Sequence, residues 1–352
     1  MRRGAIRRQD SRAARPPSGL GERPGRVDTL TRLAPLLDKR LIFVTGKGGV
    51  GKSTVSAALG VAAARRGKRT VICEVAQQER MSRMFERQGV GYHETEMAPN
   101  LYAFSVDPQR ALEEYLLLQI KIRPLYDLMF KNRIFTYFAA ATPGMRELVT
   151  VGKLWELAQF DRRVKSGSEY DLVIVDAPAT GHGLGLLRTP RTFGDIARVG
   201  PIKRQADTIN QFITNTDLTG VCAVALPEEM PVNETLDLQQ RLREEIGLDL
   251  DRVFLNGVYP ELFRDDEAEL IRSRYERALE DTRPNGNGID IVRRAALRAA
   301  LSEHLRARMH REQRARLVRE SGQDVVELPF LFEPHLDMGA VGQLADLIEA
   351  SV

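Results

Sequence analysis

Residues Gly46-Lys47-Gly48-Gly49-Val50-Gly51-Lys52-Ser53-Thr54 constrain this chain more than any other stretch. They follow the apolar run Leu41-Ile42-Phe43-Val44 and precede the alanine-rich pattern Val55-Ser56-Ala57-Ala58-Leu59-Gly60-Val61-Ala62. Strand, glycine-rich turn and helix N-terminus in that order are the setting of a phosphate-binding loop. Glycines let successive backbone N–H groups curl around an anion, and the helix N-terminus adds a partial positive charge. In such a loop Lys52 sits on the β- and γ-phosphates and the Ser53 hydroxyl holds Mg²⁺. The pattern predicts a nucleotide site.

A chain of 352 residues can bury one large α/β core or two smaller ones, and 43% hydrophobic with 28% charged residues is a soluble globular composition. No apolar run is long enough to cross a bilayer, so membrane contact is expected to be at most peripheral. The first residues lack the apolar segment of a secretory signal. The net charge of +4 comes from the N-terminus, where residues 1–28 carry eight arginines against Asp10, Glu22 and Asp28. The remainder is close to neutral, so no nucleic-acid face is expected. Residues 1–38 read as a disordered basic tail and 39–352 as the nucleotide-binding domain. Cys73 and Cys222 each lie in a β-branched run, which predicts buried core residues and fits a reducing, cytoplasmic setting.

Strand-like runs recur at 41–45, 70–75, 101–106, 171–176, 220–226, 252–257 and 324–328. Most are continuously apolar, the mark of strands buried on both faces. The expected fold is α/β: a doubly wound, mainly parallel sheet with helices on both faces. Between two core strands an apolar helical insertion is expected over about 108–160, with Tyr115-Leu116-Leu117-Leu118, Tyr126–Phe130 and Ile134–Phe138 broken by Pro124 and Pro143. Its helices either pack on each other and the core or expose an apolar groove for a partner helix. Segment 261–320 is highly charged, with Arg306, Arg308, Arg311, Arg314, Arg316 and Arg319 interleaved among Glu303, Glu312 and Glu320. A solvated or dimer-facing helix is expected there.

Asp176 closes the run Asp171-Leu172-Val173-Ile174-Val175-Asp176, where parallel sheets bind ligands, and is placed to support Mg²⁺. The run Phe254-Leu255-Asn256-Gly257-Val258 ends another strand. No Asn-Lys-x-Asp guanine signature is present, so ATP is expected over GTP.

With its early Lys47, the loop resembles that of the deviant phosphate-loop ATPases, a P-loop NTPase group. In that group the early lysine reaches a dimer partner's phosphates, and Lys47 at the loop's outer edge could neutralise transition-state charge in trans in the manner of an arginine finger. The stretch Asp176-Ala177-Pro178-Ala179-Thr180-Gly181-His182 resembles switch II of the ArsA-like branch, which includes the arsenite-pump and tail-anchored-protein-targeting ATPases. Pro143-Gly144-Met145, Asn233-Glu234-Thr235 at the opening of a later core helix, and Glu327-Leu328-Pro329-Phe330 along the base are further similarities. The resemblance implies a dimeric Mg²⁺-dependent ATPase, homodimeric or paired with a paralogue, in which Lys47, Lys52 and Asp176 serve catalysis and Ser53 and Asp176 the metal. Gly46–Thr54, Asn256, Pro329 and Phe330 would hold ATP, with Asn256 in the place of the family's adenine-reading asparagine, whose amide donor and acceptor suit the adenine edge. It also implies a hydrophobic helical protein as cargo. Alternatives from other classes are a nucleotide-gated scaffold or heterodimer subunit with little hydrolysis, and a chaperone for hydrophobic helices.

The chain departs from the branch at switch I. Alanine stands at position 76 where the branch carries an aspartate, and alanine can accept neither a proton nor a hydrogen bond. Slow turnover is expected, with Glu74, Gln77 and Glu79 as substitutes. The two cysteines cannot form a three-cysteine arsenite site, and 261–320 lacks a Cys-x-x-Cys zinc pair, with His310 and Glu312 in its place.

Overall fold

The seven apolar runs become strands because a continuously apolar segment can be buried only where helices cover both sheet faces. In the computed structural model, which describes residues 33–75, 79–119, 144–160, 169–197, 199–280, 288–333 and 335–351, they are β1 Leu41–Gly46, β2 Thr70–Glu74, β4 Leu101–Ser105, β5 Leu172–Asp176, β6 Thr219–Ala225, β7 Arg252–Val258 and β8 Val325–Pro329. An eighth strand, β3 Thr95–Ala98, was not expected; it pairs antiparallel with β4 at the sheet edge. The order is β3-β4-β2-β5-β1-β6-β7-β8, with every pair but β3–β4 parallel. The expected doubly wound α/β fold is therefore present.

Two cores lie on the two faces. Ile42, Val44, Ile72, Ile174, Cys222 and Phe254 point into one, with helices α2 Lys52–Arg65 and, at the C-terminus, α11 Met338–Ala350. Leu41, Phe43, Cys73, Val173, Val175 and Val221 point into the other, with α5 Met145–Leu157 and α6 Thr180–Ala197. The alternation along β1 is the two-residue side-chain period of a strand. Neither cysteine is in a disulfide, and both are fully buried, as expected.

Helix α1, Leu33–Asp38, corrects part of the expected tail. Leu36 and Leu37 are buried in the core, so this end of the 1–38 stretch belongs to the folded unit. Residues 1–32 lie outside the described residues. Of the helical insertion, α4 Pro108–Gln119 and α5 are described and pack together; the runs Tyr126–Phe130 and Ile134–Phe138 lie outside. Lys153 of α5 ties the two helices through an ion pair to Glu114 at 2.9 Å, and also pairs with Glu156 of its own helix at 3.0 Å.

After β2 comes the short helix α3, Arg80–Met84; α7 Pro201–Thr214 precedes β6 and α8 Glu229–Arg241 follows it. The charged segment forms two helices, α9 Asp265–Glu280 and the 34-residue α10 Gly288–Ser321. The arginines of α10 pair along or off the helix: Arg306–Glu303, Arg308–Glu312 and Arg316–Glu320 within it, Arg311–Glu261 and Arg314–Glu327 across to neighbours. A surface neutralised in this way has little long-range field.

Candidate nucleotide site

The loop 46–51 leaves β1 at the centre of the sheet and enters α2. Gly51 has φ 93°, and a Cβ there would stand 2.3 Å from Asn256 Nδ2. Gly46 has φ 149°, and a Cβ there would stand 2.2 Å from the backbone oxygen of Val224. Glycine is required at both places, once by backbone angle and once more by contact. Helix α2 has no capping side chain and no acid in its first turn. Its leading N–H groups thus keep their donors, and their partial positive charge, for an anion.

Beneath the loop, Lys52 is 7% exposed and its ammonium donates to the Lys47 carbonyl at 2.9 Å. Burial pushes its pKa down, while Asp176 opposes that shift and Arg80 adds to it. Strands β1 and β5 are in register, Val44 beside Asp176, which sets Asp176 next to the root of the loop. The Ser53 hydroxyl donates to Asp176 Oδ2 at 2.5 Å, and Ser53 also accepts from Arg80 Nη1 at 2.9 Å. Asp176 is 8% exposed; burial raises its pKa, and Ser53, Arg80 and Lys52 pull it back down. A buried hydroxyl and a buried carboxylate in contact form a hard-oxygen pair of the kind Mg²⁺ takes, and a carboxylate whose charge is penalised by burial gains most from a cation. The donor set fits the metal.

Lys47 does not project freely. Its ammonium pairs with Glu234 of the same chain at 2.8 Å. Glu234 and Thr235 lie in the second turn of α8, so the expectation that Asn233-Glu234-Thr235 opens that helix is corrected; Thr235 Oγ1 donates to Pro231 O within it. Thr180-Gly181-His182 does open α6, and Thr45 Oγ1 donates to Pro178 O at 3.3 Å, joining β1 to the segment after Asp176.

Asn256, two residues before the end of β7, donates from Nδ2 to Val50 O at 2.9 Å. One donor of its amide is therefore committed to holding the loop. Pro329 ends β8, and Phe330 beyond it stacks on Tyr259 with ring centroids 4.7 Å apart and planes 24° apart. Phe332 closes on both rings edge-on. His310, which with Glu312 stands in the helical setting where the branch's zinc pair is missing, is buried, accepting from Tyr259 N at 3.1 Å. Among the described residues no group of three or more His, Cys, Asp or Glu could hold a metal.

Of the switch I substitutes, Gln77 and position 76 lie outside the described residues. Glu79 takes φ 46° ahead of α3. Glu74 is buried, and its Oε1 accepts from Arg80 N at 2.6 Å and Met81 N at 3.2 Å, capping that helix. Burial raises the Glu74 pKa. Sequence reasoning missed Arg80, Glu234 and Tyr259 as neighbours of the site; an arginine six residues beyond the β2 terminus was the one signal available for the first.

With this geometry in place, a family model for anion-transporting ATPases matches residues 39–204 and 194–282. The chain belongs to the anion-transporting ATPase family. Relatives of this family member include the ATPase BagA of Mycobacterium tuberculosis, 29% identical over 227 residues covering 63% of this chain and 66% of the relative. The chain thus spans just under two thirds of that relative's length. The ATPase GET3 of Lachancea thermotolerans is 28% identical over 265 residues, covering 65% of this chain and 74% of that protein. The ATPase ASNA1 homolog 1 of Paramecium tetraurelia is 25% identical over 274 residues, covering 66% and 78%. Among the described residues no helix is long and apolar enough to cross a membrane.

Proposed function

We propose that this chain is a Mg²⁺-dependent ATPase, binding ATP on the loop Gly46–Thr54 and hydrolysing it to ADP and phosphate. The observation that carries the reading is the buried Ser53–Asp176 contact, with the Lys52 ammonium under the same loop. Lys52 would hold the β- and γ-phosphates, Ser53 and Asp176 the metal, and Asn256, Pro329 and Phe330 the base. Mg²⁺, when bound, neutralises phosphate charge as the terminal phosphoryl group leaves. Family membership and the names of the relatives support the activity.

The working unit is a dimer, of this chain alone or with a paralogue, in which Lys47 leaves Glu234 and reaches the partner's phosphates. Turnover is slow, because Ala76 replaces an acid in switch I and Lys47 is engaged within its own chain. Opening and closing of the dimer moves the region 108–160, where a hydrophobic helical cargo would dock. The test is calorimetric titration of ATP with Mg²⁺ present, beside a phosphate-release assay, on the parent, Lys52→Ala and Ala76→Asp. The parent binds and turns over slowly, Lys52→Ala loses both, and Ala76→Asp turns over faster. A parent chain with no affinity for any adenine nucleotide would overturn the proposal.

A further inference from the structure

The Ser53 hydroxyl stands between two groups of opposite charge. It donates to Asp176 and accepts from the Arg80 guanidinium. The lone pairs that face Arg80 are those a divalent cation on Ser53 and Asp176 would need. A guanidinium and a metal ion this close to one hydroxyl repel each other, so the two compete for one place.

The root of Arg80 is fixed by two backbone hydrogen bonds, while its tip is held through Ser53. Glu74 and Asp176 are register partners on the adjacent strands β2 and β5. Glu74 holds the backbone N–H groups of both Arg80 and Met81, so α3 starts one strand away from the metal carboxylate. Glu79 turns the chain into α3 through a left-handed conformation at φ 46°, one that an L side chain rarely adopts. The rest of Arg80 is exposed. A guanidinium on such a tether, pushed off Ser53, has the terminal phosphates of a nucleotide on the Lys52 loop as its nearest new anion. Its planar fork matches phosphate oxygens better than an ammonium does.

We propose that Arg80 is a phosphate-binding residue acting within its own chain: it competes with the divalent cation for Ser53 and Asp176 and, once displaced, ligates the terminal phosphate of a nucleoside triphosphate. This rests on the ATP-site reading above. Arg80 thereby distinguishes triphosphate from diphosphate and reports the difference to helix α3.

The experiment is calorimetric titration of the full chain with Mg²⁺ and either ADP or a non-hydrolysable ATP analogue, for the parent, Arg80→Ala and Arg80→Lys. Arg80→Ala weakens the triphosphate analogue about tenfold, the loss of one charge-assisted hydrogen bond. ADP affinity stays within about twofold, less than half a kcal/mol. The Mg²⁺ concentration for half-maximal ADP binding falls, because the competing cation is gone. Arg80→Lys recovers part of the triphosphate preference and, as the charge-retaining variant, carries the test if the alanine chain does not fold. Equal losses for both nucleotides, or no loss for either, overturn the role of Arg80 and leave the ATP site standing. A parent chain that binds neither nucleotide removes the site itself, and the role of Arg80 with it.

Discussion

Replacing Gly51 with alanine measures how the phosphate loop is held from below. The native φ of 93° is outside the range comfortable for an L side chain, which costs about 1–2 kcal/mol. The new methyl would also stand 2.3 Å from Asn256 Nδ2, so that amide must swing away and give up its 2.9 Å bond to Val50 O. A part-buried hydrogen bond of this kind contributes about 1 kcal/mol. Gly51→Ala should therefore destabilise by roughly 2–3 kcal/mol, and Asn256→Ala alone by about 1. In the Asn256→Ala background the collision is gone and the bond already lost, so Gly51→Ala adds only the backbone part. The two changes should couple by about 1 kcal/mol. Urea unfolding of the four chains, followed by far-ultraviolet circular dichroism, gives the cycle. Gly46→Ala is the contrasting case: its methyl meets the Val224 backbone oxygen, which lies in the β1–β6 ladder and cannot step aside. It should cost more than Gly51→Ala, and no side-chain truncation should rescue it. Strict additivity of Gly51→Ala and Asn256→Ala, or a Gly51→Ala cost below about 0.5 kcal/mol, would refute the reasoning.

Lys47→Ala should leave ATP affinity nearly intact while lowering turnover at least tenfold, and Glu234→Ala, which frees Lys47, should raise turnover; phosphate release at saturating ATP separates these, and an unchanged Lys47→Ala rate would end the trans role. Glu74→Gln keeps an acceptor for the Arg80 and Met81 amides and removes a buried charge. Since burial raises the Glu74 pKa, the folded chain favours its protonated form; Glu74 supports stability below the carboxylate range and subtracts from it as pH rises through that raised pKa. The glutamine chain should accordingly melt higher than the parent at about pH 8, with the gap closing on acidification; scanning calorimetry across pH checks this, and a constant gap would contradict it.

The sheet was legible because burial on both faces leaves little choice of residue: Val173-Ile174-Val175 or Val221-Cys222-Ala223-Val224 can hardly be read otherwise. Strand β3 was not, since Thr95-Glu96-Met97-Ala98 buries only Met97 and lies at an edge, where alternation over four residues says little. In the site, the loop and Asp176 were readable because their neighbours in sequence are also their neighbours in space. The contacts of Lys47 with Glu234, of Asn256 with Val50 and of Arg80 with Ser53 join residues 187, 206 and 27 positions apart. No local pattern encodes such meetings; the strand order does. Helix α1 was hidden for a related reason: Leu36 and Leu37 are buried only because the sheet lies behind them, and composition alone assigned them to the polar stretch that precedes.

The reversed strand β3 has a bearing on self-association. It is short, carries a bulge between Glu96 and Ala98, and turns Glu96 outward. At the opposite rim β8 finishes on Pro329, which has no N–H to offer. Among the described residues, both borders thus carry features that disfavour extension of the ladder by another copy. Such borders weigh against runaway edge-to-edge stacking and favour meetings of copies through loops and helices.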